Sequence, residues 1–176
     1  MCSSDLLNPA ADRALGVTDL RNRLVLSGIW DPGSYAGRIS NSLVRGMVTG
    51  WSVSAILSAQ SGSPYSAVVG ADLNNDSNRF TDRVPGIGRN TFRGPNFISL
   101  DPRITREFRF REYARLQLIA EGFNILNRAN FNNVRTTLYN VTGNFPNQSL
   151  TLAPGFGQPQ GTFDPRILQL AAKIIF

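Results

Sequence analysis

Four oxygen-bearing side chains stand at alternate positions in one segment of this sequence. They are Asp72, Asn74, Asp76 and Asn78. Calcium-binding loops place oxygen ligands at positions 1, 3, 5 and 7 in this way, and Asp82 could add a further carboxylate. Ser77 stands where such loops have glycine, and Arg83 stands where they have a bidentate glutamate. The segment therefore predicts either a weak Ca²⁺ site or a solvated, Asx-rich turn.

Catalytic chemistry finds little support in the remaining residues. The sequence has no histidine, which excludes histidine-based general bases, Ser-His-Asp triads and histidine metal sites. Glu107 and Glu121 could face each other across a predicted hairpin, but so could Arg109 and Arg115. Ion pairing across the strands is the simpler interpretation of these four residues. We therefore expect no enzyme activity and no cofactor, apart from the Ca²⁺ ion that the 72–78 segment could bind weakly.

Charge and composition narrow the class of protein. The net charge of +6 comes almost entirely from arginine, because Lys173 is the only lysine. The arginines are scattered through predicted strands and loops rather than gathered on a basic helix, so nucleic-acid binding is not expected. No apolar run approaches the roughly 18 residues of a membrane-spanning helix, so a helical membrane protein is not expected, whereas a β-barrel remains compatible.

Five segments alternate apolar and polar residues with the period of a β-strand. They are Arg21–Trp30, Met47–Gln60, Ile98–Phe110, Ala114–Phe123 and Asp164–Phe176. Their length exceeds the usual five or six residues of a strand and suits a tilted strand that crosses a bilayer. Residues 34–46, 66–96 and 128–163 are predicted to be loops, and Arg111-Glu112-Tyr113 is predicted to be a tight turn.

The last segment has the clearest alternation. Its apolar face consists of Leu168, Leu170, Ala172, Ile174 and Phe176, whereas Gln169 and Lys173 lie on the other face. This pattern predicts lipid on the first side and a polar lumen on the second, as in the closing strand of an outer-membrane barrel that ends on Phe176. If that strand ends in the periplasm, the turn at 111–113 is periplasmic and the loops at 66–96 and 128–163 are extracellular.

The stretch 120–131 resembles a signature near the end of TonB-dependent outer-membrane receptors. The residues that fit are Glu121, Phe123, Asn124, Asn127, Arg128, Asn130 and Phe131. The segment Asp72–Arg93, with its Asn-rich acidic loop followed by Arg-x-Pro-Gly and Gly-Arg-Asn-x-Phe-Arg-Gly-Pro, resembles the Oar-like branch of that family. The resemblance spans roughly residues 20–176. It implies a 22-stranded barrel plugged by an N-terminal domain, of which this chain would supply the last five strands.

The predicted fold is therefore all-β, an antiparallel transmembrane β-barrel fragment of about five strands with long extracellular loops. We expect an irregular segment at 1–20, in which Met1–Leu6 resembles a translated sequencing adapter and carries the only cysteine, and barrel strands over 21–176. The resemblance implies a receptor in the outer membrane of a Gram-negative bacterium that takes up a substrate. Its implied partners are outer-membrane lipid, the barrel-assembly machinery through the C-terminal strand, and the TonB complex through an N-terminal part. The alternative is a secreted or surface β-sandwich that binds carbohydrate.

Overall fold

The computed structural model describes residues 13–73, 77, 82–110, 114–143 and 147–176. Its elements in chain order are β1 (Arg23–Trp30), a 3-10 helix (Pro32–Arg38), α1 (Ser42–Val48), β2 (Trp51–Gln60), β3 (Pro64–Tyr65), β4 (Val68–Val69), β5 (Phe92–Arg93), β6 (Phe97–Phe110), β7 (Ala114–Phe123), β8 (Phe131–Val134), β9 (Thr137–Thr142), β10 (Ser149–Leu152), β11 (Pro159–Thr162) and β12 (Ile167–Ile175). In this described part, no helix is both long and apolar enough to cross a membrane.

Five long strands form one sheet in the order β1-β2-β6-β7-β12. β7 is antiparallel to both β6 and β12. The N–H of Glu107, near the end of β6, donates to the carbonyl of Gly50, just before β2 (2.7 Å), so these two strands also run antiparallel. At the other end of β2, the N–H of Ser61 donates to the carbonyl of Asn22, just before β1 (2.9 Å). All five strands predicted from the alternation are therefore present, and they stand in the sheet in the same order as in the chain.

The register of this sheet places several apolar residues opposite apolar ones and several polar residues opposite polar ones. Neighbouring residues along a strand point to opposite faces, so each row of paired residues belongs to one face. The apolar rows are Ile104, Ala120 and Leu170, and Phe108, Leu116 and Ile174. The polar rows are Arg103, Glu121 and Gln169, and Glu107, Gln117 and Lys173. The sheet consequently has one largely apolar face and one polar face.

The connection between β1 and β2 is helical where a loop was predicted. The Asp31 carboxylate accepts from the N–H of Gly33 (2.8 Å) at the start of the 3-10 helix, and the Asn41 side chain accepts from the N–H of Leu43 (2.9 Å) at the start of α1. Such side chains cap helices by pairing N–H groups that have no partner within the helix. The loop prediction for 34–46 is therefore wrong. The strand predicted from Met47 begins four residues later, because Met47 and Val48 complete α1.

By its contacts, the chain divides into two compact units. The wall unit consists of Arg23–Ala59, Ile98–Ala129 and Asp164–Phe176, and it contains the five-stranded sheet. The connection unit consists of the described residues of 13–22, Gln60–Phe97 and Asn130–Phe163. This division by contacts differs from the division along the chain into 1–20 and 21–176, which stays a prediction.

The connection unit has its own strands and its own small core. It contains the three-stranded sheet β10-β9-β4 and the pairs β11-β8 and β3-β5. Ala67, Val69 and Val84 are buried together, and Phe92 and Phe156 pack against them. The loops predicted at 66–96 and 128–163 therefore contain short strands, β4 and β5 in the first and β8 to β11 in the second. The turn predicted at Arg111-Glu112-Tyr113 lies outside the described residues.

Candidate functional site

Asn124 marks the point where β7 ends and the chain leaves the wall sheet. It is 7% exposed and has a φ of 47°. Asparagine tolerates this left-handed conformation better than most residues, because its short side chain bonds to nearby backbone. Asn127 adopts the same conformation (φ 50°), and its N–H donates to the carbonyl of Asn124 (2.8 Å). Two asparagines of the 120–131 motif thus form the turn itself.

The side chain and backbone of Asn124 join three segments of the wall unit. Its N–H donates to Asp101 Oδ1 in β6 (2.8 Å), an oxygen that also accepts from the Ser99 hydroxyl (2.6 Å). Its Nδ2 donates to the carbonyls of Arg128 (2.9 Å) and Asp164 (3.4 Å), and its Oδ1 accepts from the N–H of Arg128 (3.2 Å). The end of β7 is therefore tied to β6 and to the residues that lead into β12.

The other motif residues of the wall unit also take part in its construction. Glu121 forms an ion pair with Arg103 on the neighbouring strand (3.3 Å). The side-chain oxygen of Asn127 accepts from the N–H of Arg166 (3.4 Å), shortly before β12. Phe123 is the last residue of β7 and pairs with Ile167. The structure thus brings these motif residues together at one end of the sheet, where they hold neighbouring strands.

Two motif residues belong to the connection unit. Asn130 is 2% exposed, and its carbonyl accepts from the N–H of Phe163 (2.8 Å). Phe131 is the first residue of β8 and pairs with Thr162 of β11. The motif therefore extends from the last residues of β7 into the first strand pair of the following connection.

The two acidic residues considered as a catalytic pair do not face each other. Glu107 lies opposite Gln117, whereas Glu121 lies opposite Arg103. Arg109 and Arg115 are opposite each other as expected, and Arg109 Nε forms an ion pair with Glu107 on its own strand (2.9 Å). Both carboxylates are paired with arginines. The Glu121–Arg103 pair joins neighbouring strands as expected, whereas the Glu107–Arg109 pair lies within β6.

Of the four residues in the calcium-like segment, Asp72 is described, whereas Asn74, Asp76 and Asn78 lie outside the described residues. The Asp72 carboxylate accepts from the N–H of Ser77 (2.7 Å), which has a φ of 68°. The alternative of an Asx-rich turn stays a prediction, because most of the segment lies outside the described residues. Within the described ranges, no group of three or more His, Cys, Asp or Glu residues is placed to hold a metal ion. The weak calcium site stays a prediction.

Asp82, considered as a possible additional calcium ligand, lies at the other end of this segment. It is 3% exposed, and its carboxylate accepts from the N–H of Leu73. Its carbonyl accepts from the N–H of Val69 in β4 (2.8 Å). Asp82 therefore holds the base of the segment against the core of the connection unit.

The connection unit also contains a cleft of about 250 Å³ that the sequence reasoning missed. Its walls include the rings of Tyr65, Phe97 and Phe163 and the amide side chains of Asn132 and Asn133. Among the described residues, those that line it carry no formal charge. Burial raises the pKa of the Tyr65 phenol above its ordinary value. The cleft is chemically suited to a neutral ligand that has both apolar and hydrogen-bonding groups.

The apolar face of the wall sheet exposes large side chains that a protein in water would normally bury. On β12 alone, Leu168, Leu170 and Ile174 are 69%, 84% and 61% exposed. Contiguous apolar surface of this kind marks contact with a membrane or a partner. Residues 2–86 and 86–169 match the family model of the outer membrane beta barrel domain. The chain belongs to this family.

The five-stranded sheet is accordingly part of the wall of an outer membrane β-barrel. Membership of this family favours the barrel prediction over the β-sandwich alternative. No curated protein and no solved structure matched the chain. Phe176, predicted as the aromatic end of the closing strand, follows directly after β12 and is 96% exposed.

Proposed function

We propose that this barrel is a TonB-dependent receptor of the Oar-like branch that takes up a substrate across the outer membrane of a Gram-negative bacterium. The observation that carries the proposal is the arrangement around Asn124. Residues that resemble the receptor signature stand together there, and they bond to β6 and to the segment before β12. The signature therefore has a definite structural task in a protein of the outer membrane barrel family.

The proposal assigns a side of the membrane to each connection. The C-terminal end of β12 and the β1–β2 connection would face the periplasm, and the connections at 66–96 and 128–163 would be extracellular. The cleft of the connection unit would then be available to an external substrate. The wall and these connections would act by binding and passage rather than by catalysis.

Three partners follow from the same proposal. β12 is an edge strand of the sheet, and an edge strand offers unpaired backbone groups to another chain. The barrel-assembly machinery would engage this strand and Phe176 before the barrel closes. The TonB complex would bind an N-terminal part of the receptor, and outer-membrane lipid would cover the apolar face.

Labelling of intact cells tests the orientation. In a Cys2→Ser background, Ser149→Cys lies in an exposed strand of the 128–163 connection, and Ser40→Cys lies exposed between the 3-10 helix and α1. A membrane-impermeant maleimide should label position 149 in intact cells and label position 40 only after the outer membrane is permeabilised. Labelling of position 40 alone in intact cells would show that the orientation is the opposite of the one proposed.

A binding assay tests the receptor assignment separately. The full-length protein, extracted in detergent and checked for folding, should be retained by the purified periplasmic domain of TonB. A matched outer-membrane porin should pass through as the control. If the protein is folded and labelled as expected but is not retained, the receptor proposal fails and the barrel assignment stands.

A further inference from the structure

Arg106 occupies a position on the apolar face of the wall sheet. It lies in β6 between the rows of Ile104 and Phe108, and it is paired with Leu118, which is paired in turn with Ala172. Because alternate residues share a face, its side chain leaves the sheet on the side that lipid covers. A cation on such a face is unfavourable unless it reaches a polar or anionic partner.

Two aromatic rings hold the guanidinium group of Arg106. Its central carbon lies 4.8 Å from the ring centroid of Trp51 and 4.7 Å from that of Phe108. These distances are within the range of cation–π contacts. The Trp51 ring is itself anchored, because its Nε1 donates to the carbonyl of Met47 in α1 (2.8 Å). The guanidinium is therefore kept at a defined place rather than free to move through solvent.

One donor of the Arg106 side chain is unpaired among the described residues. Its Nε is buried and has no hydrogen-bond partner within the described part of the chain. Neighbouring arginines differ in this respect. Arg45 donates to the carbonyl of Ile39 (2.8 Å), and Arg109 is paired with Glu107. Because Nε itself is buried, an external acceptor would bind the guanidinium through its terminal NH groups.

The position along the strand indicates where that acceptor lies. Trp51 is the first residue of β2, and Arg106 is near the end of β6, so both lie at the end of the sheet beside α1. Arg106 and Phe108 also line an open cleft of about 830 Å³, whose other lining residues include Ser42, Thr49 and the charged residues Asp31, Arg45, Glu107 and Arg109. Tryptophan and arginine are typical of the depth at which a barrel wall meets lipid headgroups.

We propose that Arg106, held between Trp51 and Phe108, binds the phosphate group of a membrane phospholipid. A planar guanidinium matches phosphate oxygens, so a phosphate that contacts the terminal NH groups of Arg106 would balance its charge. The apolar row of Ile104, Ala120 and Leu170 lies on the mid-sheet side of Arg106. This row offers a surface for an acyl chain, which a free phosphate ion would leave unused.

Native mass spectrometry of the full-length protein in detergent tests the site. The probes are dioleoyl phosphatidylglycerol and dioleoyl glycerol, which share their acyl chains and differ in the phosphate headgroup. The protein should retain phosphatidylglycerol in preference to the glycerol lipid. Arg106→Leu should lower this retention by at least about fivefold and leave retention of the glycerol lipid unchanged. Arg106→Lys should retain an intermediate amount, since it keeps the charge and loses the planar fork.

Arg103→Leu is the matched control, because it removes the same charge from the opposite face of the same strand and does not line this cleft. Heat-modifiable electrophoretic mobility checks that each variant folds. Trp51→Leu should also weaken phosphatidylglycerol retention, and it replaces Arg106→Leu as the test if that variant does not fold. Equal retention by the native protein and Arg106→Leu would overturn the proposal, and so would equal losses in Arg106→Leu and Arg103→Leu. Displacement of the lipid by millimolar inorganic phosphate would indicate a small-anion site instead, and it would also overturn the proposal.

Discussion

Leu170→Arg is the substitution that tests the wall assignment most directly. Leu170 is 84% exposed on the apolar face and is paired with Ala120. It is next to the central residue, Ala171, of the nine-residue strand β12. With a rise of about 3.4 Å per residue and a tilt of about 45°, one residue corresponds to about 2 Å of depth. Leu170 therefore lies close to the midplane of an apolar band about 25 Å tall.

Arginine at the midplane of a barrel's lipid face costs about 2–4 kcal/mol, which corresponds to a loss of about 30-fold to 1,000-fold in the folding equilibrium. Gln169 is the neighbouring position on the polar face, directly opposite Glu121. Gln169→Arg adds the same side chain beside a carboxylate, so we expect a change within about 1 kcal/mol. Leu170→Ala removes the leucine without adding a charge. It therefore separates the cost of losing the apolar side chain from the cost of placing a charge on the lipid face.

The free energy of folding into phospholipid vesicles is measured by urea titration, with heat-modifiable electrophoretic mobility reporting the folded fraction. The expected order of destabilisation is Leu170→Arg first, then Leu170→Ala, with Gln169→Arg close to the native protein. Equal costs for arginine at positions 169 and 170 would refute the assignment of faces. A larger cost at position 169 would show that the polar face is the one that contacts lipid.

Three further predictions concern the motif, the calcium-like segment and the cleft. Asn124→Ala removes three side-chain hydrogen bonds and leaves alanine at a φ of 47°, so unfolding in urea should show a loss of about 2–4 kcal/mol. Asn124→Gly should be less destabilising by about 1 kcal/mol because it relieves the backbone alone, and equal losses would contradict the role of the left-handed turn. Calcium titration of the barrel should give a dissociation constant no tighter than about 10⁻⁴ to 10⁻³ M, and submillimolar binding that Asp76→Ala abolishes would show a stronger site than we expect. Burial raises the pKa of Tyr65 above its ordinary value of 10.0, so the stability that the protonated phenol contributes is fully present below that pH and is lost as the pH rises through the folded pKa. Stability measured from pH 9 upward should therefore fall more steeply in the native protein than in Tyr65→Phe, and identical slopes would exclude this linkage.

The sequence by itself determined the wall of this barrel. The period-two alternation predicted five strands, and the observed register pairs Leu170 with Ala120 and Gln169 with Glu121, as the predicted faces require. This was possible because the side chains of a strand alternate between faces, so a long strand with one lipid face records its orientation in the local pattern. Asp31 and Asn41 cap two helices that the sequence analysis did not predict, because helices of seven residues are too short to show a period of their own.

Only the tertiary structure decided the connections and the candidate site. The strands of the connection unit are two to six residues long, too short for alternation to be recognised. They are held by partners far along the chain, as Val69 of β4 is paired with Tyr139 of β9. The 120–131 motif was recognisable by resemblance, yet the bonds from Asn124 to Asp101 and Asp164 span 23 and 40 residues. A local pattern records which way a residue points, whereas its partners depend on how distant segments come together, and that is a property of the folded chain.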